Sequence, residues 1–294
     1  MAAVLGAVVI ASAVAVPVAV FTRGGASPTP SAGASPTPDG QAEAQAKALY
    51  QQVYADAQQS AGFQYVATTT ITGNPNQTIS GTAGQHAGTQ QLDETSDYGT
   101  ERFSLRLTSD GTVYFQGNVP SLEDQLGLSP SAAASVGSSW VRVVLGDGPY
   151  HDLWEGITVD SQMQEYSFEA TSTATVHGSG GSTLTRISGS VPPNTTTWPT
   201  GASAHFDVPS GTHLPSTCVM SASSGGETVT STTTFTDWGT APSVTAPSTS
   251  LAWSSLPSSV PPSGYGSGAT PNPGSSPTTS PTHSSTPSPS SGAL

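Results

Sequence analysis

Two histidines and an aspartate have the residue types and spacing of a metal site. His205 and Asp207 are separated by one residue in AHFDVPSGTHL, and His213 follows nearby. On a β-strand, residues two apart point to the same face of the sheet. Imidazole and carboxylate groups are ligands that zinc accepts. In the alternative interpretation, the side chains of His205 and Asp207 point to solvent from a polar face of the sheet. We favour this alternative and therefore predict no metal site.

Carboxylates are clustered in a second stretch, QLDETSDYGTE, which contains Glu94, Asp97 and Glu101. A pair of carboxylates can hydrolyse a glycosidic bond when one protonates the leaving group and the other acts as nucleophile or base. We interpret the stretch instead as a solvated strand edge or loop. The sequence contains no H-E-x-x-H, Walker, G-x-S-x-G or C-x-x-C motif. We therefore predict that the protein is not an enzyme and uses no cofactor.

Charge and cysteine content exclude further classes. The formal net charge is −13, and the chain has only 6 Lys and Arg residues, of which Lys47 is the one lysine. Nucleic-acid binding needs clustered cations that replace the counterions of phosphates, so we predict no nucleic-acid partner. The single cysteine, Cys218, has no intramolecular disulfide partner. We expect it to be buried as a small apolar residue.

The strongest structural pattern is apolar. Residues 101–119 read ERFSLRLTSDGTVYFQGNV, and apolar and polar residues alternate on both sides of Asp110-Gly111. This pattern predicts a β-hairpin with one apolar face, which a strand at WVRVV would extend. Apolar concave faces hold hydrophobic ligands. We therefore predict an apolar ligand cavity lined by Phe103, Leu105, Leu107, Val113, Phe115, Val141 and Val143.

The same face has a second interpretation, in which the protein covers it with its own helices. Protein interiors close to near-crystalline density when side chains allow it. Matching apolar residues occur in the helical stretches, namely Leu49, Val53, Leu122, Leu126 and Val136. If they fill the space, no room remains for a small ligand.

Four segments are distinguished along the chain. Residues 1–23 are an apolar run long enough to cross a bilayer, and we predict a transmembrane anchor, with a cleaved signal as the alternative. Residues 24–40 are a Pro/Ser/Thr linker and 251–294 a similar tail, both predicted to be disordered. Residues 41–250 are the folded domain.

Within the folded domain, the pattern begins with a helix over residues 41–62 and continues with strands. Short helices follow residue 120, one of them capped by Thr158 or Asp160, and strands then resume. The last hairpin is predicted to turn at Ser224-Gly225-Gly226. This order predicts an α+β fold, a single curved antiparallel sheet that forms a half-open β-barrel covered by a few helices.

Several short strings also resemble a known family. GTVYFQG, SWVRV, GTHLPS and TFTDWGTAPSVTAP occur in that order, and they resemble the actinobacterial LppX/LprG-type lipoproteins of the LolA/LolB-like superfamily. The resemblance implies a half-open barrel closed by helices around a cavity for acyl chains, and a carrier function. The family's lipobox cysteine is missing, because no cysteine precedes Cys218. The apolar run would then serve as the anchor.

Together these patterns predict an extracytoplasmic, membrane-anchored protein of the cell envelope that binds a hydrophobic ligand, a lipid. Its partners would be that lipid, the membrane through the N-terminal helix, and cell-wall polymer through the tails. Cleavage of the first segment would make the protein secreted. The alternative function is a non-catalytic envelope module, structural, interacting or sensing, with a filled core and no small ligand.

Overall fold

A computed structural model describes residues 38–96, 99–155, 157–192, 198 and 201–256. The predicted anchor at 1–23, most of the linker and the tail beyond residue 256 lie outside the described residues. None of the helices in the described ranges combines the length and the apolar character that crossing a bilayer requires.

The described ranges contain five α-helices and one sheet of twelve strands. The helices are α1 (Pro38–Gln58), α2 (Val119–Leu126), α3 (Pro130–Val136), α4 (Tyr150–Glu155) and α5 (Val159–Glu165). The strands are β1 (Gly62–Ile71), β2 (Asn74–Gly84), β3 (Gly88–Ser96), β4 (Gly99–Leu107), β5 (Val113–Gly117), β6 (Val141–Val143), β7 (Glu169–His177), β8 (Thr183–Ser190), β9 (Ser203–Pro209), β10 (Thr217–Ser224), β11 (Glu227–Thr236) and β12 (Leu251–Ala252).

The strand order is β12-β6-β5-β4-β3-β2-β1-β11-β10-β9-β8-β7. Every neighbouring pair is antiparallel except β12 and β6, which are parallel. β12 and β7 are the two edges, and within the described residues they do not pair with each other, so the sheet is not closed. A single sheet rich in antiparallel pairs and accompanied by helices is therefore confirmed.

The predicted first helix is α1, which begins three residues earlier than expected and ends at Gln58. Ala and Gln lose little conformational freedom in a helix, which favours this element. One stripe of α1 is fully buried and includes Val53 and Ala57. On the same helix, the ring of Tyr50 lies 4.6 Å from that of Phe168, next to β7. α1 thus covers the β7 end of the sheet.

The hairpin of residues 101–119 is present as β4 and β5. The Asp110 carboxylate accepts hydrogen bonds from the Thr108 hydroxyl at 2.6 Å and from the Thr112 amide at 3.1 Å. Gly111 adopts a φ of 80°, which is the left-handed region that favours glycine. Side chains at this turn therefore fix the register of the two strands.

Two segments form β-strands where the sequence predicts no regular strand. β3 was expected to be a solvated edge or loop, but it is an interior strand between β2 and β4. At the other end, Leu251 and Ala252 fall within the predicted tail and yet form β12. The Leu251 amide donates to the Trp140 carbonyl at 2.8 Å, which attaches this segment to β6.

Alternation along the strands divides the sheet into two faces. The inner face contains the buried apolar side chains, which the helices cover; the outer face contains mostly hydroxyl and amide side chains. Cys218 belongs to the inner face at 1% exposure, as predicted, and burial raises the pKa of its thiol. A protonated, buried thiol is chemically inert, so Cys218 serves packing.

Candidate functional site

The seven apolar residues proposed from the sequence lie together on the inner face of β4, β5 and β6. Leu105 pairs with Phe115, which pairs with Val141 on the next strand. The Phe103 and Phe115 rings stack at 5.9 Å, and Phe115 meets Trp253 edge-on at 6.2 Å. The structure therefore brings the predicted residues into one cluster.

These seven side chains are also almost completely enclosed, with exposures between 0% and 2%. Leu122 of α2, Val136 of α3 and Val53 of α1 belong to the same core, and Leu49 and Leu126 pack against it. In this arrangement a ligand reaches the seven residues only if the helical cover moves. Their role in ligand binding stays a prediction.

A cluster of carboxylates lies beneath α2, at the edge of the apolar core. Glu94 and Glu101 are directly opposite each other on β3 and β4. Glu101 is 0% exposed and Glu94 is 7% exposed, so the expectation of a solvated loop is wrong for both, because β3 is an interior strand. Asp97 lies outside the described residues. Asp124 is contributed by α2 itself.

Hydrogen bonding in this cluster is incomplete. The amide Nε2 of Gln125 donates to Glu101 Oε2 at 3.2 Å and to Asp124 Oδ2 at 3.0 Å. Gln77 Nε2 donates to Glu94 Oε2 at 2.8 Å. Glu101 Oε1 and Gln125 Oε1 are buried and have no hydrogen-bond partner. Buried polar atoms without partners are uncommon and destabilise the contact in which they occur.

For two carboxylates of the cluster, Glu94 and Asp124, the surroundings are also unfavourable to the ionised state. Within the described ranges, none of the three carboxylates forms an ion pair. Burial, and then the charge of Glu101, raise the pKa of Asp124. Burial raises the pKa of Glu94 as well, with Glu101 and Asp124 adding to the effect. A raised carboxyl pKa means that the ionised forms of Glu94 and Asp124 are less favourable in the folded than in the unfolded chain, so these two groups lower stability as pH rises.

A separate carboxylate, Glu165 at the end of α5, gives a pH-dependent prediction. Burial raises its pKa from 4.5 to about 7. The folded state therefore binds more protons than the unfolded state between these values, and stability decreases as pH rises through that window. We expect Glu165→Gln to stabilise the protein at pH 8 by on the order of 2 kcal/mol and to have little effect at pH 4. Urea unfolding at both pH values measures this difference.

The control for Glu165→Gln is Glu227→Gln, which changes an exposed carboxylate at the start of β11. It should leave unfolding unchanged at both pH values. Equal stabilisation by Glu165→Gln at pH 4 and pH 8 would contradict the assignment, because the effect would then not depend on ionisation.

The residues considered for a metal site are engaged elsewhere. Asp207 accepts from Arg186 Nε at 2.7 Å and from Nη2 at 2.8 Å, so it forms a bidentate ion pair and does not simply meet solvent. His213 Nδ1 lies 3.0 Å from Asp56 Oδ2. Burial and the Arg186 charge lower the pKa of His205. In the described part of the chain, no group of three potential ligands is placed to hold a metal ion.

One feature of the outer face has no counterpart in the sequence predictions. An open groove of about 580 Å³ crosses β11 and β1 to β5 and ends at Trp140, just before β6. At that end the guanidinium carbon of Arg106 lies 4.5 Å from the centre of the Trp140 ring. The lining is contributed by six strands, so no short stretch of sequence contains its pattern.

Comparison with known proteins gives similarity only among solved structures. No protein-family model matches the chain, and no curated protein matches it. LprF from Mycobacterium bovis is similar at 14% identity and a TM-score of 0.42, over 69% of this chain and 96% of that one. The Mycobacterium tuberculosis lipoprotein LppX is similar at 12% identity and a TM-score of 0.37, over 67% of this chain and 96% of that one. A LolA superfamily protein from Nitrosomonas europaea is similar at 10% identity and a TM-score of 0.29, over 69% of this chain and 94% of that one.

Proposed function

We propose that the protein is a non-catalytic binding protein of the cell envelope that encloses an acyl chain between the inner face of β4 to β6 and the layer formed by α2 and α3. The proposal rests on one observation, the incompletely satisfied contact between α2 and the sheet at Glu101 and Gln125. That contact lies at the edge of the buried apolar cluster of β4 to β6, which an acyl chain could join if α2 moved.

The two ends of α2 are attached with different strength. At the N-terminal end, Asn118 Nδ2 donates to the Thr100 carbonyl at 2.7 Å, and Asn118 Oδ1 accepts from the Arg102 amide at 3.0 Å. The Ser121 hydroxyl donates to the Arg102 carbonyl at 2.8 Å. At the C-terminal end, Gln125 meets the carboxylates of Glu101 and Asp124, and its Oε1 has no hydrogen-bond partner. This asymmetry favours a movement in which α2 pivots at Asn118 and lifts at Gln125.

Lifting α2 would uncover Leu122, which is fully buried, together with the apolar residues of β4 and β5. An acyl chain in that space restores the burial of apolar surface at about 0.8 kcal/mol per methylene. The helix contains eight residues, of which Ser121, Leu122 and Gln125 are buried, so these are the main contacts that its displacement would break. An acyl chain in the opened space therefore offsets the free-energy cost of lifting α2 more effectively than water does, because the apolar side chains stay buried.

Organic extraction tests this function directly. Residues 38–256, produced without the apolar segment 1–23 and purified without detergent, are extracted with chloroform and methanol, and the extract is analysed by mass spectrometry. We expect an acyl lipid in a fixed ratio to protein. An extract without lipid, combined with no binding of a fluorescent fatty acid, would contradict the proposal.

A second candidate function is favoured by the near-complete enclosure of the seven apolar residues, at 0% to 2% exposure. With a filled core, the protein would be an envelope module that interacts with other components and holds no small ligand. The extraction experiment separates the two functions, because such a module yields no lipid.

We further propose that residues 1–23 attach the protein to the membrane and place the domain on the extracytoplasmic side. The support is the apolar run itself, followed by the Pro/Ser/Thr-rich linker. Mass spectrometry of the mature N-terminus distinguishes this anchor from a cleaved signal, which would leave a secreted protein. Contact between the tail and cell-wall polymer belongs to the same proposal.

A further inference from the structure

We propose that the outer-face groove binds a sugar chain, independently of any ligand beneath α2. Its lining combines hydroxyl and amide side chains with two aromatic residues, Tyr65 and Trp140, two aliphatic residues and one guanidinium, and none of its residues is Asp or Glu. Such a surface offers hydrogen-bonding groups along its length, with apolar carbon between them. A polyhydroxylated ligand matches that chemistry.

The side chains of the groove are arranged in rows that cross the strands. The first row follows the direct strand partners from β11 to β4 and consists of Thr236, Gln64, Thr82, Thr89 and Arg106. Within it, the hydroxyls of Thr82 and Thr89 lie 3.0 Å apart and are hydrogen-bonded. Direct partners on neighbouring strands are close enough to act on one ligand together.

A second, parallel row runs from β11 to β5 and consists of Thr234, Val66, Ser80, Gln91, Ser104 and Gln116. Val66 is 49% exposed and is the aliphatic side chain of this row. At a spacing of about 4.8 Å between strands, this six-strand row is about 24 Å long and the five-strand first row about 19 Å. The groove is therefore long enough to hold an extended ligand made of several linked sugar rings.

One end of the groove is held in place before any ligand binds. Arg106 Nη1 donates to the Thr245 carbonyl at 3.2 Å while the guanidinium lies over Trp140. Gln116 Nε2 donates to the Ser138 carbonyl at 2.5 Å. Fixed side chains lose little conformational entropy on binding. This end is therefore the expected anchor for the ligand.

Other ligand classes fit the groove less well. An acyl chain would leave many hydroxyl and amide groups without hydrogen bonds, and each such loss is unfavourable. A peptide that adds a strand needs a free sheet edge, whereas β1 to β5 and β11 are all paired on both sides. Nucleic acid needs several cations, and the lining provides one.

Titration of the full-length protein with chitohexaose, cellohexaose and oligogalacturonate, followed by calorimetry and tryptophan fluorescence, tests the proposal. We expect saturable binding of at least one of these sugars. Arg106→Ala should weaken it by about tenfold or more, because the anchor end is lost. Thr236→Trp should weaken it similarly by blocking the far end of the first row.

The matched control is Thr232→Trp, which places the same bulky side chain on the same face of β11 but outside the groove. It should bind sugar as the unmodified protein does. Absence of binding to all three sugars would overturn the proposal. Binding that survives both Arg106→Ala and Thr236→Trp would overturn it as well, since the sugar would then lie elsewhere.

Discussion

Phe115→Arg is expected to prevent stable folding of the domain. Phe115 is 0% exposed at the centre of β5, where it contacts the rings of Phe103 and Trp253. The substitution removes these contacts and places an unpaired charge in the core, and together these effects cost more than about 4 kcal/mol. That loss is comparable to the whole stability of many domains. Circular dichroism and urea unfolding measure it.

Two further variants separate the effects of charge and of packing. Ser104→Arg introduces the same charge on the neighbouring strand β4 but on the outer face, and we expect it to fold normally. Phe115→Leu keeps an apolar side chain and should cost only about 1 kcal/mol. If Phe115→Arg instead folds with unchanged stability and loses bound lipid, Phe115 faces an open cavity, and the packed arrangement described above is contradicted.

The double variant Glu101→Leu/Gln125→Leu is expected to stabilise the protein and to slow lipid exchange. It removes the two buried oxygen atoms that have no hydrogen-bond partner, and it also removes one of the three neighbouring carboxylates. Replacement of both partners of a buried polar contact by apolar residues of similar shape is neutral to stabilising, and because two unpartnered oxygens are removed here we expect a gain of about 2 kcal/mol. Thermal unfolding measures the first effect.

The exchange of a fluorescent fatty acid measures the functional effect of the same variant. If α2 pivots at Asn118 and lifts at Gln125, a firmer contact at Gln125 should slow both uptake and release, by up to about thirtyfold if all of the added stability opposes lifting. The control Asn118→Ala weakens the opposite end of α2 and should speed exchange. Unchanged exchange in a stabilised double variant would show that α2 is not the moving cover.

The β4–β5 hairpin shows which features were predictable from sequence. Its alternation of apolar and polar residues and its Asp110-Gly111 turn are local, and both are found as expected. The cap of α5 is a similar case, because the Thr158 hydroxyl accepts from the Ser161 amide at 3.3 Å, three residues away. Features that depend on residues close in the chain were therefore predictable.

Glu101 shows why the rest was not predictable. Its sequence neighbours, Gly99, Thr100 and Arg102, are those of an exposed loop or edge, and nothing nearby signals burial. Glu101 is buried because β3 pairs on one side and α2, about twenty residues later, lies over it. The burial of a residue on a strand depends on what covers that strand, and this is a contact between distant segments.

The sequence by itself determined most of the strands, though not β3 or β12, together with the β4–β5 turn and which side chains of a strand share a face, because these properties follow from the local alternation of residues. Tertiary structure alone decided that the apolar face is covered by helices, that three carboxylates meet beneath α2, and that hydroxyl and amide side chains of six strands form one groove. The physical reason is that register and coverage depend on pairing between distant residues, which local pattern does not specify.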